Sequence, residues 1–235
     1  MTTALVTGGN KGIGRETVRR LAGLGWTVWL GARDRGRGEQ AVRELAAEGA
    51  DVRHLPLDVT WDESVERAVA IVGAAGGLDV LVNNAGIGGA WKPPAETVAA
   101  DFLACFGVNL LGPVRVTQAF LPLLQGSEHP RVVMVSSGMG SLAITTDPDR
   151  AESGFHGLVY PSSKAALNMV TTMYAKALPG LRVNAADPGY TATDLNGHAG
   201  FRSVEEGARA VVALAQVPPD GPTGGFFDDA GVVPW

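Results

Sequence analysis

Two side chains in the stretch VYPSSK, residues 159–164, could carry out acid–base chemistry together. Tyr160 and Lys164 stand four positions apart, which on a helix sets them one turn apart on one face, with Ser162 and Ser163 turned aside. An ammonium held near a phenol favours the phenolate, so Lys164 is expected to lower the Tyr160 pKa from about 10 towards neutrality. A phenol tuned in this way is a proton donor usable at physiological pH. The competing reading is an ordinary exposed i,i+4 pair, and a lone Tyr-x-x-x-Lys does not decide between them.

The elements around the pair alternate from the start of the chain. Short apolar runs at 3–7, 26–32, 51–58, 78–86, 131–137 and 182–189 read as strands, and the end of the chain offers a seventh. Between them, helical spacing covers 14–24, 38–49, 62–76, 95–105, 107–125, 158–178 and 203–216, the last opening on the capping pair Ser203 and Glu206. Continuous apolar strands alternating with amphipathic helices make an α/β fold, a mostly parallel sheet covered on both faces. No linker or repeat divides residues 1–235, so a single domain is expected. Such sheets bind ligands beyond the carboxyl ends of their strands.

Composition narrows the function classes. Hydrophobic residues make up 46% and charged residues 18%, which supplies a large core and argues against disorder. The net charge of −5 offers no basic field for nucleic acid. Cys105 is the single cysteine, and His54, His129, His156 and His198 form no ligand set, so neither a disulfide nor a metal site is expected. MTTALVTGG leads straight into a strand and a glycine turn, no apolar run approaches membrane-spanning length, and a cytoplasmic protein is expected.

TGGNKGIG, residues 7–14, follows the first strand and opens the first helix. Gly8, Gly12 and Gly14 allow tight dihedrals and let a pyrophosphate approach helix-terminal N–H groups. The turn lacks the Lys-Ser/Thr of a P-loop, which sets an NTPase aside.

With NNAG (83–86), VNLLGP (108–113), VSSG (135–138), YPSSK (160–164) and DPGYTATD (187–194) in this order, the whole chain resembles the short-chain dehydrogenases/reductases. GGNKGIG, GARD (31–34) and the tail are most similar to the NADPH-dependent carbonyl reductases. The resemblance implies a doubly wound, seven-stranded Rossmann-type sheet, and hydride transfer from NADPH to a ketone or aldehyde. The same residues would oxidise a secondary alcohol in reverse, and a catalytically silent NADP(H)-responsive regulator is the rival from another class. The intact quartet of Asn109, Ser137, Tyr160 and Lys164 speaks against a regulator.

Roles follow from the same resemblance. Gly8, Gly12, Ile13 and Gly14 would line the pyrophosphate, Asn10 and Lys11 of the same turn would also bind the cofactor, and Asp58 with Val59 would meet the adenine. Asn83 would support the sheet, with Asn84, Ala85 and Gly86 beside the adenosine ribose, and Pro188, Gly189, Thr191 and Thr193 would flank the nicotinamide. Tyr160 would be the proton donor, Lys164 its partner and a ribose ligand, and Ser137 a second donor to the substrate oxygen; Asn109 would bend a helix and hold a water beside Lys164. Ser136 competes with Ser137, but neighbours on a strand face opposite sides. At the end of the second strand the family's acidic position falls on Ala32 and Arg33 follows, so Arg33 and Lys11 are expected to hold the 2′-phosphate of NADPH; Asp34 could be mistaken for the acid. Met139, Leu142, Trp91 and Tyr190 suit a substrate-pocket wall or ordinary packing.

The segment between Ser137 and Tyr160 is longer than in most of the family, and monomeric carbonyl reductases carry a still longer one across the helical face that dimers use. TTDPDRAESG, residues 145–154, reads as a polar surface excursion that would shield this face, so a monomer is expected. Folded over the active site as a lid instead, it would leave that face open for a dimer or tetramer.

Overall fold

The computed structural model describes residues 1–235. Seven strands form one all-parallel sheet: β1 Thr3–Thr7, β2 Thr27–Ala32, β3 Val52–Pro56, β4 Val80–Asn83, β5 Arg131–Val135, β6 Arg182–Ala186 and β7 Phe226–Phe227. Their order is β3-β2-β1-β4-β5-β6-β7, so the winding reverses between β1 and β4. At that reversal the crossovers diverge to opposite faces and leave a crevice at the carboxyl ends.

Alternate residues of the central strands feed two separate cores. Ala4 and Val6, Val80 and Val82, and Val133 and Val135 pack towards α1 (Gly12–Gly23), α2 (Arg35–Ala47) and α8 (Val204–Ala215). Leu5, Leu81, Val132 and Met134 pack towards α3 (Asp62–Ala74), α5 (Gly112–Gln125) and α7 (Val159–Ala177). The apolar, β-branched strands are therefore buried on both sides. Helix ends follow local chemistry. Ser203 and Glu206 close a reciprocal capping box on α8, and Asp34 caps α2 by accepting from Arg37 N at 2.9 Å.

Where the sequence suggests two helices, α4 (Ala99–Phe106) runs into α5 through a π turn, Gly107–Leu111. Pro113 has no N–H for the Asn109 carbonyl four residues back, and the helix loosens until Gly112 N bonds Gly107 O, five residues back. The resulting 27-residue helix, Ala99–Gln125, is long and apolar enough to cross a membrane, contrary to the sequence reading. It packs on the sheet through Val116, Phe120 and Leu124, buries Cys105 against the loop after β4 and Ser163, and carries Asp101 and Arg115 along its length.

The segment before Tyr160 is also more structured than a polar excursion. It holds two 3₁₀ turns, Gly138–Gly140 and Ala151–Gly154, and a short helix, α6 (Leu142–Thr145). Ser141 Oγ donates to Pro234 O at 2.7 Å and Ala143 N to Trp235 O at 3.1 Å, tying the segment to the chain end. It leaves Leu103 74%, Leu111 51%, Met169 60% and Met173 45% exposed on the outer helices, so the shielding that supported a monomer is not there. Phe155, directly after this stretch, meets the ring of Trp91, which in turn stands beside Tyr160.

The first turn of this segment presses on α7. A Cβ on Gly140 would lie 2.7 Å from Lys164 C and 2.9 Å from Ala165 N, both backbone atoms that cannot swing aside. Gly140→Ala is expected to lower the unfolding free energy by about 1–3 kcal/mol, as overpacking does. Gly154→Ala, with nothing within 4 Å of the added carbon, serves as the control. Equal urea midpoints for the two variants would contradict the close approach.

Candidate active site

A cleft of about 1370 Å³ opens at the carboxyl ends of β1 and β4. One end is built by the glycine turn. Gly8 and Gly12 adopt φ of +64° and +54°, conformations that favour glycine. A Cβ on Gly14 would fall 2.4 Å from Asn84 Nδ2 and 2.5 Å from Gly8 O. Asn84 fills that space, donating to Thr7 O at 2.9 Å and Gly8 O at 3.2 Å, while Thr7 Oγ1 accepts from Asn84 N and Ala85 N, each at 3.0 Å. The loop after β4 is thus stapled to the turn, leaving the first N–H groups of α1 directed at the cleft. Asn83 stays inside the sheet and donates to Thr117 Oγ1 at 3.0 Å.

Asn10, Lys11, Ile13, Arg33, Asp58, Val59, Ala85, Gly86, Pro188 and Thr193 all reach this cleft. The Asp58 carboxylate accepts from Thr60 N and Oγ1 at 2.9 and 2.6 Å. Burial pushes its pKa up, but those two donors and the Arg33 charge outweigh it and hold the group below the usual range. Arg33 makes no ion pair, whereas Lys11 is paired with Asp194 at 2.7 Å. Asp34 is occupied as the α2 cap, and Ala32 is buried without a polar group. Arg37, in the first turn of α2 and also at the cleft, escaped the sequence reading; its spacing of four from Arg33 was the available signal.

Two of the expected cofactor-binding residues lie elsewhere. Thr191 is buried, with its hydroxyl donated to Pro188 O at 2.9 Å, and it packs under Gly207; it braces the loop instead of facing the cleft. Gly189, at φ +67°, stands against Arg202 outside the cleft lining.

At the other end, α7 carries Tyr160 and Lys164 on one face, and both line the cleft. Lys164 is 4% exposed and donates from Nζ to Val135 O at 2.8 Å, at the end of β5. Burial lowers its pKa to about 8, against partial compensation from Cys105 and Asp187. Burial raises the Tyr160 pKa; a hydrogen bond with Ser137 opposes this, and the Asp187 charge adds to it. The expectation that Lys164 brings the phenol towards neutrality is therefore corrected. The ammonium is directed at the Val135 carbonyl, 5.6 Å from the Tyr160 ring centre, and desolvation dominates both groups.

The two serines separate as the strand alternation implies. Ser136 is 2% exposed, counts among the cleft-lining residues and donates to Asn168 Oδ1, while Ser137 lies outside that lining but is only part-buried and reaches Tyr160. Asn109 sits in the π turn, fully buried. Its Oδ1 accepts from Ile87 N at 2.9 Å and its Nδ2 donates to Ile87 O at 2.9 Å and Ser163 Oγ at 3.1 Å, so it fixes the loop after β4 to α7. Asp187, quoted in the DPGY motif without a role, is 7% exposed and bonds Gly189 N at 2.9 Å and the Gly138 amide. It joins the Ser137 turn to the loop after β6, and burial raises its own pKa.

A sequence profile described as short chain dehydrogenase matches residues 2–201. The chain belongs to the short-chain dehydrogenase/reductase family. It is 34% identical to an NADPH carbonyl reductase of Mus musculus, covering 99% of this chain and 98% of that one. It is 37% identical to (-)-isopiperitenone reductase of Mentha piperita over 299 positions, 95% of each chain. That alignment is longer than the 235 residues here, so the mint protein carries segments with no counterpart in this chain. Among solved structures, NADPH-bound carbonyl reductase from chicken fatty liver superposes with a TM-score of 0.88 and 29% identity, over 100% of this chain and 99% of that one. A family oxidoreductase acting on carbonyls or alcohols is the coarse function these relations establish.

The buried lysine has a measurable signature. Between about pH 8 and pH 10.5 the unfolded chain keeps a proton on Lys164 that the folded chain has released. Unfolding free energy from this group therefore rises with pH across that window, and below it the buried charge costs on the order of 3 kcal/mol. Lys164→Met is expected to be more stable than the native chain near pH 7, with the gap shrinking as pH approaches 10. Urea unfolding at the two ends of the window checks it, and a gap independent of pH would contradict it.

Proposed function

We propose that this protein reduces a ketone or aldehyde with NADPH, Tyr160 giving the proton. The observation that carries the cofactor choice is the charge at the adenosine end. Arg33 stands at the cleft without an anionic partner, Arg37 is one helical turn on, and the position that would hold an acid is the apolar Ala32. Two planar guanidinium groups suit a phosphate dianion, whereas a bare ribose hydroxyl would call for a carboxylate. Asp34 cannot serve as that carboxylate while it caps α2. Lys11 is held by Asp194 at 2.7 Å, whereas the contact of Arg37 with Asp34 is a looser 3.8 Å and Arg33 has none, so the arginines rank above Lys11 as phosphate ligands. The glycine turn, too close-packed at Gly14 for any side chain, fits a pyrophosphate held by backbone N–H groups. Relatives named for NADPH favour the same reading.

A reduced nicotinamide supplies hydride when bound. The chain's own residues do the rest. Ser137 and Tyr160 would hold the carbonyl oxygen between two hydroxyl donors, stabilising the negative charge that develops on it. The carbonyl carbon takes the hydride and its oxygen takes the phenolic proton, giving an alcohol. Burial keeps Tyr160 protonated, the state from which donation starts, and also makes it a weaker acid than a phenol tuned towards neutrality. Lys164 spends one of its three donors on Val135 O, and the others would hold ribose hydroxyls and the phenolic oxygen.

NADPH oxidation followed at 340 nm across a carbonyl panel tests the activity. Arg33→Ala with Arg37→Ala is expected to raise the NADPH KM at least tenfold while leaving the NADH KM little changed, since charge-assisted contacts are worth about 1.5–3 kcal/mol each. Equal losses for the two cofactors, or none, would count against the assignment.

A further inference from the structure

Beside the proton donor, next to the end of the cleft lined by Gly88, Gly89 and Ala90, stand two aromatic rings that neither the phosphate contacts nor the proton chemistry uses. Trp91, on the loop after β4, lies with its ring centre 5.9 Å from that of Tyr160, the planes inclined by 36°. Phe155, from the segment that precedes α7, meets Trp91 edge-on at 5.3 Å and 87°. Both rings are held back against their own loops. A Cβ on Gly88 would fall 2.6 Å from the Trp91 ring, and one on Gly157 would fall 2.6 Å from the Phe155 ring. The wall is thus placed by packing, yet Trp91 remains 52% and Phe155 36% exposed. The cations on the same segments are spent locally, Lys92 on Asp101 at 2.7 Å and Arg150 on Glu152 at 3.7 Å.

A half-open indole next to a proton donor is an unfilled apolar surface with one polar handle, the arrangement that orients a small apolar ligand. A flat, rigid ring system covers such a face without losing rotor freedom on binding, whereas a flexible chain must be ordered first. Resting on the carbonyl reductase reading, we infer that Trp91 and Phe155 form the specificity wall for a rigid alicyclic or aryl ketone. Its ring lies on the indole, and its carbonyl oxygen points to the hydroxyls of Tyr160 and Ser137.

The test compares 2-decalone with 2-decanone, which have equal carbon number but differ in rigidity. Native protein is expected to reduce 2-decalone with a kcat/KM at least about tenfold above that for 2-decanone, within the range that pocket contacts supply. Trp91→Ala and Phe155→Ala should each collapse that ratio towards one while the NADPH KM stays unchanged, and Trp91→Phe should retain most of it. A second readout needs no turnover: saturation-transfer NMR should show 2-decalone contacting the native protein and lose the signal in Trp91→Ala. A ratio near one in the native protein, or one that survives Trp91→Ala, overturns the inference. If short aldehydes are reduced well and 2-decalone is not, the specificity wall fails and the reductase reading stands. If 2-decalone binds at Trp91 but no carbonyl compound is reduced, the wall stands and the reductase reading fails. Absence of both binding and turnover of 2-decalone overturns the wall outright.

Discussion

Lys164 carries its ammonium inside the protein, and its hydrogen bond within the chain is to the carbonyl oxygen of Val135. Desolvating an ammonium is costly, and one carbonyl does not repay it, which is why the pKa falls to about 8. The position persists because neighbours on three sides over-determine it. Gly140 admits the α7 backbone at a distance no side chain would allow, and Asn109 ties the loop after β4 to Ser163, the residue before Lys164. Val135 is the last residue of a strand paired on both sides. Moving any of these moves the cation. The proton donor one turn earlier and the serine two residues beyond Val135 are placed by the same contacts.

The opposite end of the cleft is governed by a different constraint, close approach without charge burial. Asn84 occupies the volume that a side chain at Gly14 would need, so the glycine turn and the loop after β4 form one unit. Charge is then added at the rim, where Arg33 and Arg37 stay hydrated and cost little to hold. The site thus places its expensive group where chemistry is proposed and its inexpensive groups where binding selectivity is proposed.

Much of this was legible in the sequence because the signals were local. Apolar runs located the strands, and the two-residue alternation within β1, β4 and β5 maps onto the two cores. The spacing of Tyr160 and Lys164 correctly placed both on one helical face. What escaped depended on where side chains end up in space. The spacing said nothing about the direction of the Lys164 ammonium or the depth of both groups, and the expected phenol shift had the wrong sign. The break expected between 105 and 107 is absent, because a π turn over Gly107–Leu111 carries the helix on. Thr191 shares a motif with Thr193, yet only Thr193 faces the cleft. The polar sequence at 145–154 gave no hint that flanking Ser141 and Ala143 bond the chain end and that Phe155 reaches Trp91.

The central claim is that Tyr160 donates the proton at a cleft whose cofactor end is independent of it. Single-turnover reduction with deuterated NADPH, comparing native protein with Tyr160→Phe, tests it most directly. Native protein should deliver deuterium to the carbinol carbon of the product, and the variant should do so roughly 10²–10⁴-fold more slowly, as for lost acid catalysis. NADPH affinity should remain within a few-fold of native, because Ser137, Lys164 and the arginines are untouched. A variant that transfers deuterium at the native rate, or label that never reaches the carbinol carbon, would contradict the account.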